Sequence, residues 1–328
     1  MRKMKSKILV GFLSLLIATL VVWEGQAQSQ EAYPTKPIEI IVPYSPGGSW
    51  DIFSRITASF LSKKWGLPVN VVNKPGGNAI PGILSVYNAN PDGYTMLADG
   101  ISTSTARITE TNLPFKIMDR TFVSTVGVCP QLLVGAVNIP QKSLKDFADA
   151  AKRDPGNFTF SWIGLGYDSS GVALRQFFNE INFDPQKGKV VAVQGGSQVV
   201  VMVSGGHAML GTTTPGTAAS SMKAGTVRGV AVTSKNREPE YPDIPTTAES
   251  GYPNVNIMQW MGISGPPKLP AFIVAQWEKA LEEVLRDPEL IAKMRSSGIT
   301  ADYLDSQATR KHASKEIDEL SKLYGSMK

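Results

Sequence analysis

The stretch Val42–Asp51, "VPYSPGGSWD", offers backbone chemistry more than side-chain chemistry. The apolar run "IEIIV" precedes it and "IFSRITASFLSKKWG" follows, so it reads as strand, glycine-rich turn, helix. Such a turn aims backbone N–H groups at one point on a helix N-terminus, a ready anion site carrying roughly half a positive charge. A phosphate cradle of the form G-x-x-x-x-G-K-[ST] would add a lysine, and none stands here. The candidate contacts are Tyr44, Ser45, Gly47, Gly48, Ser49 and Asp51. A branched side chain at Gly48 is expected to disturb any positive-φ conformation and to sit where an anion would approach. A turn without a ligand fits the same glycines. Asp51, in the first helical turn, fits a dipole-capping role at least as well as a contact with solute.

Other reactive side chains are sparse. The single cysteine, Cys129, cannot form an internal disulfide, and its apolar setting "VSTVGVCPQLLVGAV" suits a buried, inert thiol. The two histidines, His207 and His312, have no Cys or carboxylate at ligand spacing, so no metal is expected. There is no G-x-S-x-G elbow, no histidine near a nucleophile motif and no sign of a cofactor.

The elements that must carry these residues alternate. "IEIIVPY" and "LPVNVVN" read as strands around the helix "WDIFSRITASFLSKKWG", where Ile52, Ile56, Phe60 and Leu61 recur at about helical spacing. A helix "GGNAIPGILSVYNAN", the turn Pro91-Asp92-Gly93 and a strand "YTMLAD" follow, which predicts a parallel sheet. The middle repeats the pattern. "QLLVGAV" is a strand, "SLKDFADAAKRDPG" a helix with Ser143 as N-cap and Pro155-Gly156 as its stop, and "FTFSWIG" another strand. In "GYDSSGVALRQFFNEIN" either Asp168 or Ser169 can cap a helix. "KVVAVQ", "SQVVVMVSGG" and "AMLGTT" continue the alternation. The valine run at 199–203 is read as helix on its flanks, against its strand propensity. After the strand "VRGVAVTS", the stretch "KNREPEYPDIPTTAESGYP" reads as an extended connection, and the tail segments "PAFIVAQWEKALEEVLRDPELIAKMRSSG" and "SQATRKHASKEIDELSKLYG" read as helical.

Residues 1–27 have the pattern of a secretory signal peptide. Arg2, Lys3, Lys5 and Lys7 precede an apolar run from Ile8 to Trp23, and Gly25-Gln26-Ala27 offers a cleavage site after Ala27. A retained membrane anchor is the alternative. The leader holds four basic residues and one acidic, so its removal lowers the net charge from +5 to +2. No basic stripe with interleaved aromatics marks a nucleic-acid partner.

"YPTKPIEIIVPYSPGGSWDIFSR", "LPVNVVNKPGG", "PDGYTML", "VRGVAVTS", "YPDIPTTAESGYP" and "DPELIAKMRSSG" occur in the order and spacing of one family. From Tyr33 to near the C-terminus the chain resembles the Bug-type extracytoplasmic solute-binding receptors of tripartite tricarboxylate transporters. The resemblance implies an α/β, two-lobed periplasmic binding protein fold (type II, Venus-flytrap) with a ligand cleft between the lobes. Residues 28–132 and 239–328 are expected as one lobe and 133–238 as the other. It implies a periplasmic, monomeric receptor, not an enzyme. Such a receptor captures a small organic carboxylate, through main-chain N–H groups and water, for transient delivery to membrane permease subunits. A ligand sensor of the same fold, and more remotely an exported hydrolase, are the competing readings.

The resemblance places a second anion loop at "GLGYDSSGVALRQFF", where Gly166, Ser169 and Ser170 match the family's Gly-x-Gly-[Ser/Thr]-[Ser/Thr] pattern and Asp168 stands where glycine is common. Tyr167, and Ser102 just past the third strand, join the candidate contacts. Three departures fall in the second lobe. Val193-Gln194-Gly195 replaces Tyr-Lys-Gly, Gly205-Gly206-His207-Ala208-Met209 replaces Gly-Gly-x-Val-Asp, and Thr213-Thr214 replaces Asp-Asn. Gln194, Gly195 and Thr213 are therefore candidates too. Asp51 and Asp168 make the cleft less hospitable to a tricarboxylate, which leaves a monocarboxylate, a dicarboxylate or a zwitterion.

Overall fold

The computed structural model describes residues 32–101, 103, 113 and 115–325. The leader and Ser102 lie outside the described residues. Of the segment Met1–Thr35, residues 32–35 are described and include a cis peptide between Tyr33 and Pro34.

The rest of the chain builds two sheets. β1 (Ile38–Val42) is buried along its length except at Glu39, as a parallel strand covered on both faces must be. It pairs in parallel with β2 (Val69–Asn73) and β3 (Thr95–Gly100), with α1 (Ser49–Trp65) and α2 (Ile80–Tyr87) as the crossover helices. Beyond β3 the sheet turns antiparallel, through β4 (Thr121–Pro130), β10 (Met258–Gly265) and β11 (Thr300–Leu304). The first sheet therefore runs β11-β4-β10-β3-β1-β2 and is mixed, where the sequence predicts only its parallel half. α7 (Ala271–Val284), α8 (Pro288–Ser296) and α9 (Ser306–Gly325) complete this part. Trp65 of α1 meets Trp277 of α7 edge-on at 4.9 Å. In α9, Glu316 accepts the Trp260 indole N–H at 2.8 Å.

The second sheet runs β7-β6-β8-β5-β9: β5 (Leu132–Ala136), β6 (Thr159–Ile163), β7 (Lys189–Val193), β8 (Leu210–Thr213) and β9 (Val227–Val232). α3 (Leu144–Arg153) starts with the anticipated cap: Ser143 accepts from the Asp146 N–H while Asp146 accepts from that of Ser143. α4 (Ser169–Glu180), α5 (Gly196–Ser204) and α6 (Pro215–Lys223) follow β6, β7 and β8. α5 contains the valine run, with Val199, Val200 and Val203 buried. An aromatic core of Phe147, Phe158, Phe160, Trp162, Phe177, Phe178 and Phe183 fills one face of the sheet. Thr246 bridges Val232, and Tyr252 and Val255 join the same core, so residues 246–255 pack on the second sheet.

The chain crosses between the sheets twice, side by side. Gln131 alone separates β4 from β5. Its N–H donates to Thr233 Oγ1 at 2.8 Å, the Thr233 N–H donates to its carbonyl at 2.9 Å, and the Thr233 hydroxyl donates onward to the Ile257 carbonyl. Cys129, at the end of β4, is fully buried, and burial pushes its thiol above the usual range. No described helix is long and apolar enough to cross a membrane.

Candidate functional site

Loops at the C-terminal ends of β1, β6, β7 and β8 lead into helices α1, α4, α5 and α6, and all four helices begin at one place. A small cavity there, about 20 Å³, is lined by Gly48, Ser49 and Trp50 of the first start, Asp168 and Ser170 of the second, Gly196 of the third, and Thr213 and Thr214 of the fourth. No side chain caps α1, α5 or α6. Their N-terminal donors are thus left for something else, and the three dipoles add. α4 differs, because the Asp168 carboxylate accepts from the Ser170 N–H at 3.2 Å and the Gly171 N–H at 3.1 Å. The Ser170 hydroxyl also donates to it.

A larger cavity of about 110 Å³ shares Tyr44, Ile163 and Asp168 with the first. Pro43, Gly76, Gly77, Asn78 and Ala79 form its wall on the first lobe, and Gly164, Tyr167, Val193 and Gln194 form the other. Gly76, Gly77, Asn78 and Ala79 all have positive φ, at 98°, 52°, 55° and 70°. Asn78 and Ala79 are strained there by about 1–3 kcal/mol each. The Ala79 N–H donates to the Gly76 carbonyl at 3.0 Å, which holds this wall in place. Among the described residues lining the two cavities there is no Lys, Arg or His, and Asp168 is the one carboxylate.

The two lobes touch around these cavities. Ser197 donates its hydroxyl to the Pro46 carbonyl at 3.0 Å. A Cβ at Gly195 would lie 2.9 Å from that of Ser45. Gln259 of β10 spans the gap, since its amide donates to Ser49 Oγ at 3.1 Å and its carbonyl oxygen accepts from Ser169 Oγ at 2.5 Å.

Of the residues singled out from sequence, Tyr44, Gly48, Ser49, Tyr167, Asp168, Gln194 and Thr213 line the cavities. Ser45 and Gly195 form the contact between lobes, and Ser169 acts through Gln259. Gly47 and Asp51 lie behind the loop: the Gly47 N–H donates to Asp51 Oδ2 at 2.9 Å, so Asp51 clamps the turn. The positive φ belongs to Gly47, at 76°, and not to Gly48, the N-cap at −80°. Gly166, at φ 73°, packs against the Trp162 ring and Gly171, so its role is to hold the loop. The sequence reading missed Gly76–Ala79, although "KPGGN" is a strong turn signal, and Gln259 and Gln131, which have no local signature.

The profile of the tripartite tricarboxylate transporter family receptor matches residues 53–326. The chain belongs to this family. The receptor is 28% identical to the protein BugT of Bordetella pertussis over 322 residues, which is 94% of each chain. Its fold is that of the periplasmic binding protein BugD, with a TM-score of 0.83, 24% identity and coverage of 90% and 98% of the two chains. It is equally that of R. palustris Rpa4515 with adipate, with a TM-score of 0.84, 22% identity and coverage of 89% and 97%. The two-lobed fold expected from the sequence is present, and the family and these neighbours are binding proteins.

Proposed function

We propose that this receptor captures a small carboxylate in the cleft and hands it to the membrane permease of a tripartite transporter, working as a monomer outside the cytoplasmic membrane after loss of residues 1–27. The observation that carries this reading is the convergence of three uncapped helix N-termini, those of α1, α5 and α6, on one cavity. Such a site attracts an anion without a fixed cation, and the modest charge compensation favours release. Adipate on Rpa4515, a protein of the same fold, supports the solute class. Lobe 1 then comprises Lys36–Pro130 with 256–325, and lobe 2 comprises 132–255, which moves the second boundary from 239 to follow the packing of residues 246–255. Among the described residues, the one lining hydroxyl that donates to a carboxylate, Ser170 to Asp168, serves the start of α4 beside the Gly171 N–H, and the reading is capture without turnover.

The test is a panel of mono-, di- and tricarboxylates and amino acids against the mature chain. A solute that binds only the folded state raises its apparent melting temperature. At least one member is expected to do so and to titrate with saturation in calorimetry. If no member does, while neutral sugars or nucleosides do, the carboxylate reading is wrong.

A further inference from the structure

The charged side chain at the centre of the cleft has the wrong sign for a plain carboxylate site. Asp168 lines both cavities. It is part-buried, with the start of α4 on one side and the cleft on the other. Its partners are backbone N–H groups at the start of α4 and the Ser170 hydroxyl, which reaches both oxygens. They are neutral donors, so the negative charge has no cation against it. The nearby cation is engaged elsewhere: Arg175 donates to the carbonyls of Gly166 and Leu165 at 2.8 and 3.0 Å and stacks on the Trp162 and Tyr167 rings.

We infer that the solute carries an ammonium group that meets Asp168 while its carboxylate lies at the starts of α1, α5 and α6, so that the receptor takes an amino acid in preference to a plain mono- or dicarboxylate. The inference rests on the carboxylate reading above. Ser49, Asp168, Gly196 and Thr214 line the same small cavity, which places the anion-seeking donors and the acidic acceptor side by side. An α-amino acid presents its two charges in the same close arrangement. A second carboxylate near Asp168 would be repelled by it, in a setting where water screens little. A neutral solute would leave the helix dipoles unanswered. Tyr44 and Tyr167 line the larger cavity. Burial within the cleft pushes the Asp168 carboxyl up to about 6, which leaves it ionised at neutral pH and ready to pair with an ammonium group. The larger cavity then receives the rest of the amino acid.

The experiment pairs each common amino acid with its deaminated analogue: leucine with 4-methylpentanoate, phenylalanine with 3-phenylpropionate, glutamate with glutarate. Calorimetry at pH 7 on the mature chain is expected to show at least one amino acid binding tenfold or more tightly than its analogue. In Asp168→Asn, whose side chain still caps α4, that ratio should fall to near unity. Asp168→Ser, another good cap, serves if the first variant fails to fold. Deaminated acids that equal or surpass their amino acids in the wild type overturn the inference and leave the carboxylate reading standing. An absence of binding by both sets and by the wider carboxylate panel overturns both.

Discussion

Two loops of this molecule place an aspartate at the start of a helix, and the two carboxylates behave oppositely. Asp51 sits inside the first turn of α1 and reaches back to the Gly47 N–H, with Arg55 Nε 3.0 Å from the same oxygen. Burial alone would raise its pKa, but Arg55 and the Gly47 N–H outweigh burial and hold the carboxyl below its usual value. Asp168 precedes α4 and pairs with no cation, so burial wins and raises it. Residue type and local helix position are nearly the same; the difference is the arginine four residues on. One carboxylate is spent on the turn, and the other faces the cleft.

The largest effect that would sharpen this comparison comes from the contact between the loops. Gly195→Val places bulk 2.9 Å from Ser45 Cβ, on a backbone that any residue can adopt. Solute binding should weaken roughly ten- to hundredfold, the equivalent of about 1–3 kcal/mol of overpacking, with the melting temperature of the free protein little changed. A variant that binds as wild type would show that the lobes need not meet here.

The aspartates themselves come next. Asp51→Asn should cost about 1–3 kcal/mol in urea unfolding at pH 7, because a charge-assisted bond and an ion pair are lost. The Asp51 contribution is present above its ordinary pKa of 3.8 and lost as the pH falls through the lowered folded value, so variant and wild type converge in acid. Asp168 has the opposite sign. Its folded pKa is raised from 3.8 to about 6, so its contribution is complete below 3.8 and disappears as the pH rises through 6. Asp168→Asn should match the wild type near pH 4 and exceed it at pH 7. Parallel pH profiles for the two variants would erase the contrast.

The smallest effects separate the loop from its surroundings. Ser49→Ala removes the acceptor of the Gln259 amide and should weaken solute binding by about 0.5–1.5 kcal/mol. Lys64 pairs with Glu283 on the far side of α1, in an exposed contact. Lys64→Ala should leave solute affinity within about twofold and cost under about 1 kcal/mol of stability. Loss of binding in this variant would point to a lysine, not to helix N-termini, as the holder of the anion.

The parallel half of each sheet was legible because its signals are local. An apolar run, a glycine turn and an amphipathic helix stand next to one another in "IEIIVPYSPGGSWDIFSR". β4, β10 and β11 escaped because their pairing is remote: Cys129 faces Gln259, and Val128 faces Thr300. β10, "MQWMGISG", is buried nearly throughout, so it shows no alternation, and its two glycines blur any propensity. The site divides the same way. Gly48, Ser49, Asp168 and Thr213 stand at strand–helix junctions that the alternation itself reveals. Gln259 acquires its position only once two chain segments more than a hundred residues apart lie together.

The paired crossings have a consequence for how this molecule finds its solute. A single tether would let the two halves swivel, bend and twist. Two tethers, at Gln131 and at Ile257, both hydrogen-bonded to Thr233, leave one soft coordinate, rotation about the line through both. The search for the shut arrangement is then one-dimensional, and little orientational entropy remains to be lost when a solute arrives.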